Sequence, residues 1–213
     1  MNTDYTALAL IVDRSGSMHN IAQDVRGSVR QFIGDQKKQE GKASLTVTQF
    51  DHQYEVIYDF HDIKGVDEEK FAKEYSPRGS TALLDAIGRT TLALSQKIDS
   101  MQDVEKPKRV VVAIITDGEE NASKEFTLDK IKGLIKQKEA LGWDFLFMGA
   151  TLDTIDVAQR MGFSADKSAA FETSNFRGCM SSINEQVKKV RLGKQVNLSP
   201  EERDNLKKPA EQA

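Results

Sequence analysis

The sequence predicts an α/β fold: a three-layer, doubly wound, mostly parallel six-stranded sheet with one antiparallel edge strand from a hairpin. Three observations carry this reading. Residues 5–12 (YTALALIV) and 109–116 (RVVVAIIT) are apolar without alternation, as strands covered on both faces are, and each run breaks off at an aspartate-bearing turn. Segments with apolar residues at helical spacing separate most of the strand-like runs, the order that builds parallel sheets through crossover helices. Residues 44–50 (SLTVTQF) and 54–60 (YEVIYDF) instead alternate apolar and polar across the short gap Asp51-His52-Gln53, which makes them an antiparallel hairpin.

The elements follow in order. After the first strand and the polar turn Asp13-Arg14-Ser15-Gly16-Ser17, Ile21, Val25, Val29, Phe32 and Ile33 recur at helical spacing and predict a helix over about 20–39, stopped near Gly41. The hairpin comes next. Residues 61–80 are the least regular stretch, with a charged helical turn expected over 67–73. Pro77 and Gly79 then deliver Ser80-Thr81 to a helix over about 82–100 that carries Leu83, Ile87, Leu92, Leu94 and Ile98. Beyond the 109–116 strand, helices are predicted over about 127–141, 153–161 and 175–191, with strands over 143–148 and, more weakly, 168–171. Residues 1–192 read as one domain, and 193–213 as a polar C-terminal tail, frayed or loosely docked.

Composition narrows the chemistry. Thirty basic against 33 acidic residues leave a net charge of -3, which offers no general positive field to nucleic acid or anionic lipid. Cys179 is the single cysteine, so neither a disulfide framework nor a cysteine-built zinc site is available. The three histidines, His19, His52 and His61, are too few for a histidine-rich metal centre. The N-terminus lacks a basic stretch before an apolar one, and 7–12 is far shorter than the roughly 20 residues that span a bilayer. The expectation is a cytoplasmic domain without nucleic-acid or membrane partners.

In open parallel sheets, ligands bind beyond the carboxyl ends of the strands, where strand order reverses. Two strands end alike, in Ile11-Val12-Asp13 and Ile115-Thr116-Asp117. If both are central, Asp13 and Asp117 converge. Ser15 and Ser17 follow Asp13 in a turn that lets both hydroxyls face one point, and Thr81, before its helix, can add a third. Two carboxylates and three hydroxyls without sulfur or imidazole suit a hard cation: magnesium, with manganese or calcium as alternatives.

Asp13-Arg14-Ser15-Gly16-Ser17 resembles the D-x-S-x-S motif of the von Willebrand factor type A (VWA) family. Gly79-Ser80-Thr81-Ala82-Leu83 is similar to that family's threonine loop, and Thr116-Asp117-Gly118 to its second aspartate turn. Together these form the family's metal-ion-dependent adhesion site (MIDAS). The resemblance spans about residues 5–192. Met148-Gly149-Ala150, with Asp153 and 158–162, is also similar to small stand-alone VWA proteins of bacteria and their phages. It implies a Rossmann-like VWA fold in which Ser15 and Ser17 ligate the ion directly. Thr81 would do so directly or through water, and Asp13 and Asp117 through waters and hydrogen bonds. The ion then stays electrophilic, and an Asp or Glu of a protein partner completes its shell. The implied role is a metal-dependent protein-interaction module, such as an adaptor for an ATPase complex or a phage-encoded factor that binds a host protein.

Other readings exist for each residue. Aspartates commonly end strands, and Ser15, Ser17 or Thr81 could cap helices. Glu119, Glu120 and Asn121 read as a solvated loop or as the rim of the site. Asp51 and His52 read as an ordinary hairpin turn, Asp85 as a helix-dipole partner, Cys179 as a buried small hydrophobe, and residues 188–191 as a solvated helix end. The competing function is a metal-dependent hydrolase or phosphatase with Asp13 as nucleophile. The haloacid-dehalogenase phosphatases, which Asp13 could imitate, need an acid/base aspartate two residues on, where this chain has Ser15. Neither a P-loop nor a G-x-S-x-G elbow occurs.

Overall fold

A computed structural model describes residues 2–210. Six strands form one sheet: β1 (Asn2–Asp13), β2 (Lys42–Phe50), β3 (Tyr54–Asp62), β4 (Pro107–Thr116), β5 (Trp143–Gly149) and β6 (Ser168–Ala170). Their order is β3-β2-β1-β4-β5-β6, parallel throughout except for β3, which pairs antiparallel to β2 at one edge. The chain leaves β1 toward β2 on one side and later returns to β4 on the other. The switch point therefore lies between β1 and β4, the position at which such sheets bind ligands.

Among the described residues, seven α-helices flank the sheet: α1 (Ala22–Lys37), α2 (Glu68–Glu74), α3 (Leu83–Asp99), α4 (Leu128–Ala140), α5 (Leu152–Arg160), α6 (Phe176–Arg191) and α7 (Pro200–Leu206). Alternate residues of the central strands feed two cores. Leu8, Leu10 and Val12 of β1 pack toward α1 and α6 with Val25, Val29, Phe32, Ile183 and Val187, whereas Ala7, Ala9 and Ile11 pack toward α3 and α4 with Leu83, Ile87, Leu94 and Ile131. Period-two alternation inside an unbroken apolar run is what a strand covered on both faces requires. No helix among the described residues is long and apolar enough to cross a membrane.

The structure refines the sequence reading at several places. The first helix, expected over about 20–39, is α1. A 3₁₀ segment, Gly16–Ile21, precedes α1, because the turn after Asp13 must first bring Ser15 and Ser17 round to the sheet edge. Arg191 ends α6 not in solvent but by donating to the carbonyls of Gln36 (2.8 Å) and Glu40 (2.9 Å), so its guanidinium satisfies the carbonyls at the end of α1. Residues 193–206, expected to be frayed or loosely docked, are packed onto the domain. Val196, Leu198 and Leu206 are buried in the same core as β1 and α6, and the Val196 amide donates to the buried carboxylate of Asp144. Helix α7 begins with a reciprocal capping box between Ser199 and Glu202, with Pro200 in its first turn.

Leu198 is 1% exposed, so Leu198→Ala should cost about 2–4 kcal/mol, the usual penalty for a truncated core leucine. Denaturant unfolding tests this: a loose tail would leave the midpoint unchanged.

Candidate metal centre

The centre is assembled at the carboxyl ends of β1 and β4. β1 ends at Asp13, whose side chain is fully buried. Thr116, the last residue of β4, donates its hydroxyl to Asp13 Oδ2 at 2.5 Å, and the Ser15 amide donates to Oδ1 at 2.6 Å. One carboxylate thus fixes both the end of the neighbouring strand and the turn that follows its own. From below, the buried Tyr75 hydroxyl donates to the Asp13 carbonyl at 2.8 Å.

The turn presents Ser15 Oγ and Ser17 Oγ 3.0 Å apart, and Ser17 donates to Asp117 Oδ1 at 2.6 Å. Thr81 reaches the same point from the loop before α3. Gly118 marks the convergence: a Cβ built there would lie 3.0 Å from Thr81 Oγ1 and 3.5 Å from both serine Oγ atoms. All five residues singled out in the sequence, Asp13, Ser15, Ser17, Thr81 and Asp117, therefore meet at one place. None of the hydroxyls is used as a helix cap. Ser15 precedes the 3₁₀ segment without a side-chain capping bond, and α3 is preceded by Ala82, not Thr81.

Electrostatics make this cluster look for a cation. Burial raises the Asp13 pKa to about 6, against the lowering pull of the bonds from Thr116 and Ser15. Asp117 is also raised, chiefly by burial and against the bond from Ser17. Neither carboxylate takes part in a salt bridge among the described residues, because Arg14, the nearest cation in sequence, turns away to Asp51 and Glu55. Buried carboxylates are ordinarily paired or coordinate metal. Asp13, buried, and Asp117, half-buried, both without a salt bridge among the described residues, beside three convergent hydroxyls and a glycine-lined gap fit a small dication, and the all-oxygen donor set suits hard ions. Among the described residues no group of three or more His, Cys, Asp or Glu could hold a metal, so an ion held at this cluster would need the hydroxyls.

The residues after Asp117 turn out to be structural. Asn121 accepts the Thr81 amide (2.9 Å), while the amides of Asn121 and Ala122 donate back to the Thr81 carbonyl (3.0 and 3.1 Å). Glu120 accepts the α3 amide of Leu84 (2.9 Å) and the amides of Ala122 and Ser123. Asp85 takes the amides of Lys124, Glu125 and Phe126, each at 2.9 Å, and those bonds outweigh burial and lower its pKa. Far more than a helix-dipole partner, Asp85 clasps the loop after β4 to α3 while Glu120 clasps α3 to the loop. Glu119 is exposed, and so is Asn121 despite its bond to the Thr81 amide. Asp51, read as an ordinary turn residue, is also fully buried, between Arg14 and Arg78.

A family model for the von Willebrand factor type A domain matches residues 8–120, more than half of the chain, and contains all five site residues. The chain belongs to the von Willebrand factor type A domain family. Solved structures agree on the fold. The vWF domain of the type V pili tip protein Mfa5 from Porphyromonas gingivalis superimposes with a TM-score of 0.65 at 10% identity, over 92% of this chain and 98% of that one. The pilus adhesin SpaC from Lactobacillus rhamnosus GG gives 0.64 at 14% identity, over 89% of this chain and 31% of that one. Proximal thread matrix protein 1 from the mussel byssus, solved with a zinc-occupied MIDAS motif, gives 0.59 at 18% identity, over 87% of this chain. The VWA chain described here spans 45% of that mussel protein. No curated protein sequence matches it.

Two outcomes test the centre. Gly118→Ala sets a methyl against the three hydroxyls without removing a donor. It should weaken metal binding at least tenfold by titration, while leaving the melting temperature in EDTA nearly unchanged. The second test concerns pH. Because the folded pKa of Asp13 is raised, its ionisation costs the metal-free protein stability as pH climbs from about 4 through about 6, on the order of 3 kcal/mol. In EDTA at pH 8, Asp13→Asn should therefore melt at or above the unsubstituted protein. The difference should vanish by pH 4, and saturating magnesium should reverse the order at pH 8.

Proposed function

We propose that this VWA domain is a metal-dependent protein-interaction module. It would hold a divalent cation, magnesium by preference, through Ser15, Ser17 and Thr81, with Asp13 and Asp117 acting mainly through hydrogen bonds and water. The observation that carries the reading is a pair of carboxylates without a salt-bridge partner among the described residues, Asp13 fully buried and Asp117 half-buried, beside three convergent hydroxyls. Neutral hydroxyls bind a dication without quenching its charge, so the ion would still attract a negative oxygen from outside. Ser17 and the neighbouring Gly16 are exposed, leaving that approach open to solvent. A partner's Asp or Glu is the natural ligand.

Binding is favoured over catalysis by what surrounds the site. Asp13 could serve as a nucleophile only if substrate reached it, yet it is fully buried and both its oxygens already accept hydrogen bonds. The position two residues on, where a phosphatase of the competing type would place its acid/base, is Ser15, whose hydroxyl faces Ser17. The likeness to a pilus tip domain and a pilus adhesin points the same way.

Magnesium or manganese at a hundred times its dissociation constant should stabilise the fold by about 2.7 kcal/mol. For a chain of this size that is a rise of about 5–10 °C in melting temperature, reversed by EDTA. The Ser15→Ala/Ser17→Ala double variant should lose the rise. An unchanged rise in that variant would remove the site. Capture of a partner on the immobilised domain, read by mass spectrometry, should require the metal and fail with Thr81→Ala. Metal-dependent hydrolysis of a phosphate ester, abolished by Asp13→Asn, would replace binding with catalysis.

A further inference from the structure

The Asp51 carboxylate is as buried as that of Asp13, although it sits at the tip of an edge hairpin where carboxylates are usually solvated. The Asp51 carbonyl accepts the Ala82 amide (2.9 Å), its Oδ1 accepts the Gln53 amide (2.5 Å), and its Oδ2 accepts Arg78 Nε (2.8 Å) and forms an ion pair with Arg14 Nε 3.4 Å away. Both arginines continue to Glu55: Arg14 Nη1 donates to Oε2 (2.8 Å) and Arg78 Nη2 to Oε1 (2.9 Å). The backbones repeat the connection, with the Arg78 amide donating to the Arg14 carbonyl (2.7 Å) and the Gly16 amide to the Gly79 carbonyl (3.1 Å). Gly79 adopts φ +70°, and a Cβ there would run into the His52 ring, so the hairpin tip presses directly on the threonine loop.

Two cations and two carboxylates thus close a ring through three separate segments. Arg14 lies between Asp13 and Ser15, and Arg78 lies three residues before Thr81. A simple hairpin would need none of this. We infer that Asp51 and Arg78 are positioning residues for the metal centre: their ion pair, with Arg14 and Glu55, fixes the gap between the Ser15–Ser17 turn and Thr81. Neither residue touches the ion. The inference rests on the metal-binding reading above, because a gap of fixed width matters only if the hydroxyls on its two sides share one ligand.

Simple charge effects predict the opposite result for Arg78, which makes the test sharp. Removing a cation near a dication site should tighten metal binding by Coulomb's law, whereas losing the clamp should loosen it. The measurement is manganese titration of the full chain, with free manganese read by electron paramagnetic resonance, alongside melting in EDTA. Arg78→Gln should weaken manganese binding about tenfold or more. Its EDTA melting temperature should fall by only a few degrees, since Arg78 is half exposed. Arg78→Lys, which restores the charge but not the fork, should recover only part of the affinity. Asp51→Asn should weaken binding in the same direction; if its burial beside Arg14 prevents folding, Arg78→Gln carries the test alone. Manganese binding by Arg78→Gln that equals or exceeds the unsubstituted protein overturns the clamp. Binding that is absent in the unsubstituted protein, or that survives Ser15→Ala/Ser17→Ala, overturns the metal centre itself and the clamp with it.

Discussion

The parallel pairing of β1 with β4 is the constraint on which the rest depends. Val12 stands opposite Ile115, so the next residues, Asp13 and Thr116, leave the sheet together and join through the 2.5 Å bond from the threonine hydroxyl. A slip of one residue would send Asp13 to the opposite face and Thr116 away from it. The register is held by the core, since Leu8, Leu10 and Val12 must face α1 and α6 while Ala7, Ala9 and Ile11 face α3 and α4. Hydrophobic burial therefore positions a polar site that it does not contain.

Around that pair the loops hold one another more than they are held by the sheet. The serine turn leans on the threonine loop through Gly16 and Gly79, and the threonine loop is gripped by Asn121 and Ala122. The loop after β4 is clasped to α3 by Asp85 and Glu120. Loops at a sheet edge ordinarily carry function at the expense of rigidity. Here the carboxylates of Asp85 and Glu120 spend their acceptor capacity on loop amides, bonds stronger than those between neutral groups.

The sheet, the edge hairpin and the five convergent residues were legible because each leaves a local signature: an unbroken apolar run, an alternation, or a hydroxyl or carboxylate at a strand end. The clasps were not. Thr81 and Asn121 are 40 residues apart, Asp85 and Glu125 also 40, and Arg78 and Asp51 27, so no window of sequence holds both partners. Glu120 and Asn121 in isolation look like any polar turn, and only the fold shows whose amides they accept. The docked tail hid for a different reason. Val196, Leu198 and Leu206 are too sparse to make a periodic pattern, although Ser199-Pro200-Glu201-Glu202 carries a readable start signal for a helix.

The scarcity of carboxylates at the site has a thermodynamic consequence. Buried Asp13 and half-buried Asp117 are each disfavoured as anions, and a dication that neutralised both would repay that cost. A third carboxylate within the domain would bind the ion more tightly but would leave it little attraction for an outside anion. Hydroxyls avoid this outcome: they desolvate the ion without neutralising it, at the cost of weaker binding. That cost falls if the hydroxyls are already in place, because none of the binding energy is then spent on ordering loops. A site meant to keep an ion electrophilic would therefore have to be rigid, and the ion pairs of Arg14 and Arg78 and the clasped loops around Ser15 and Thr81 would serve that rigidity.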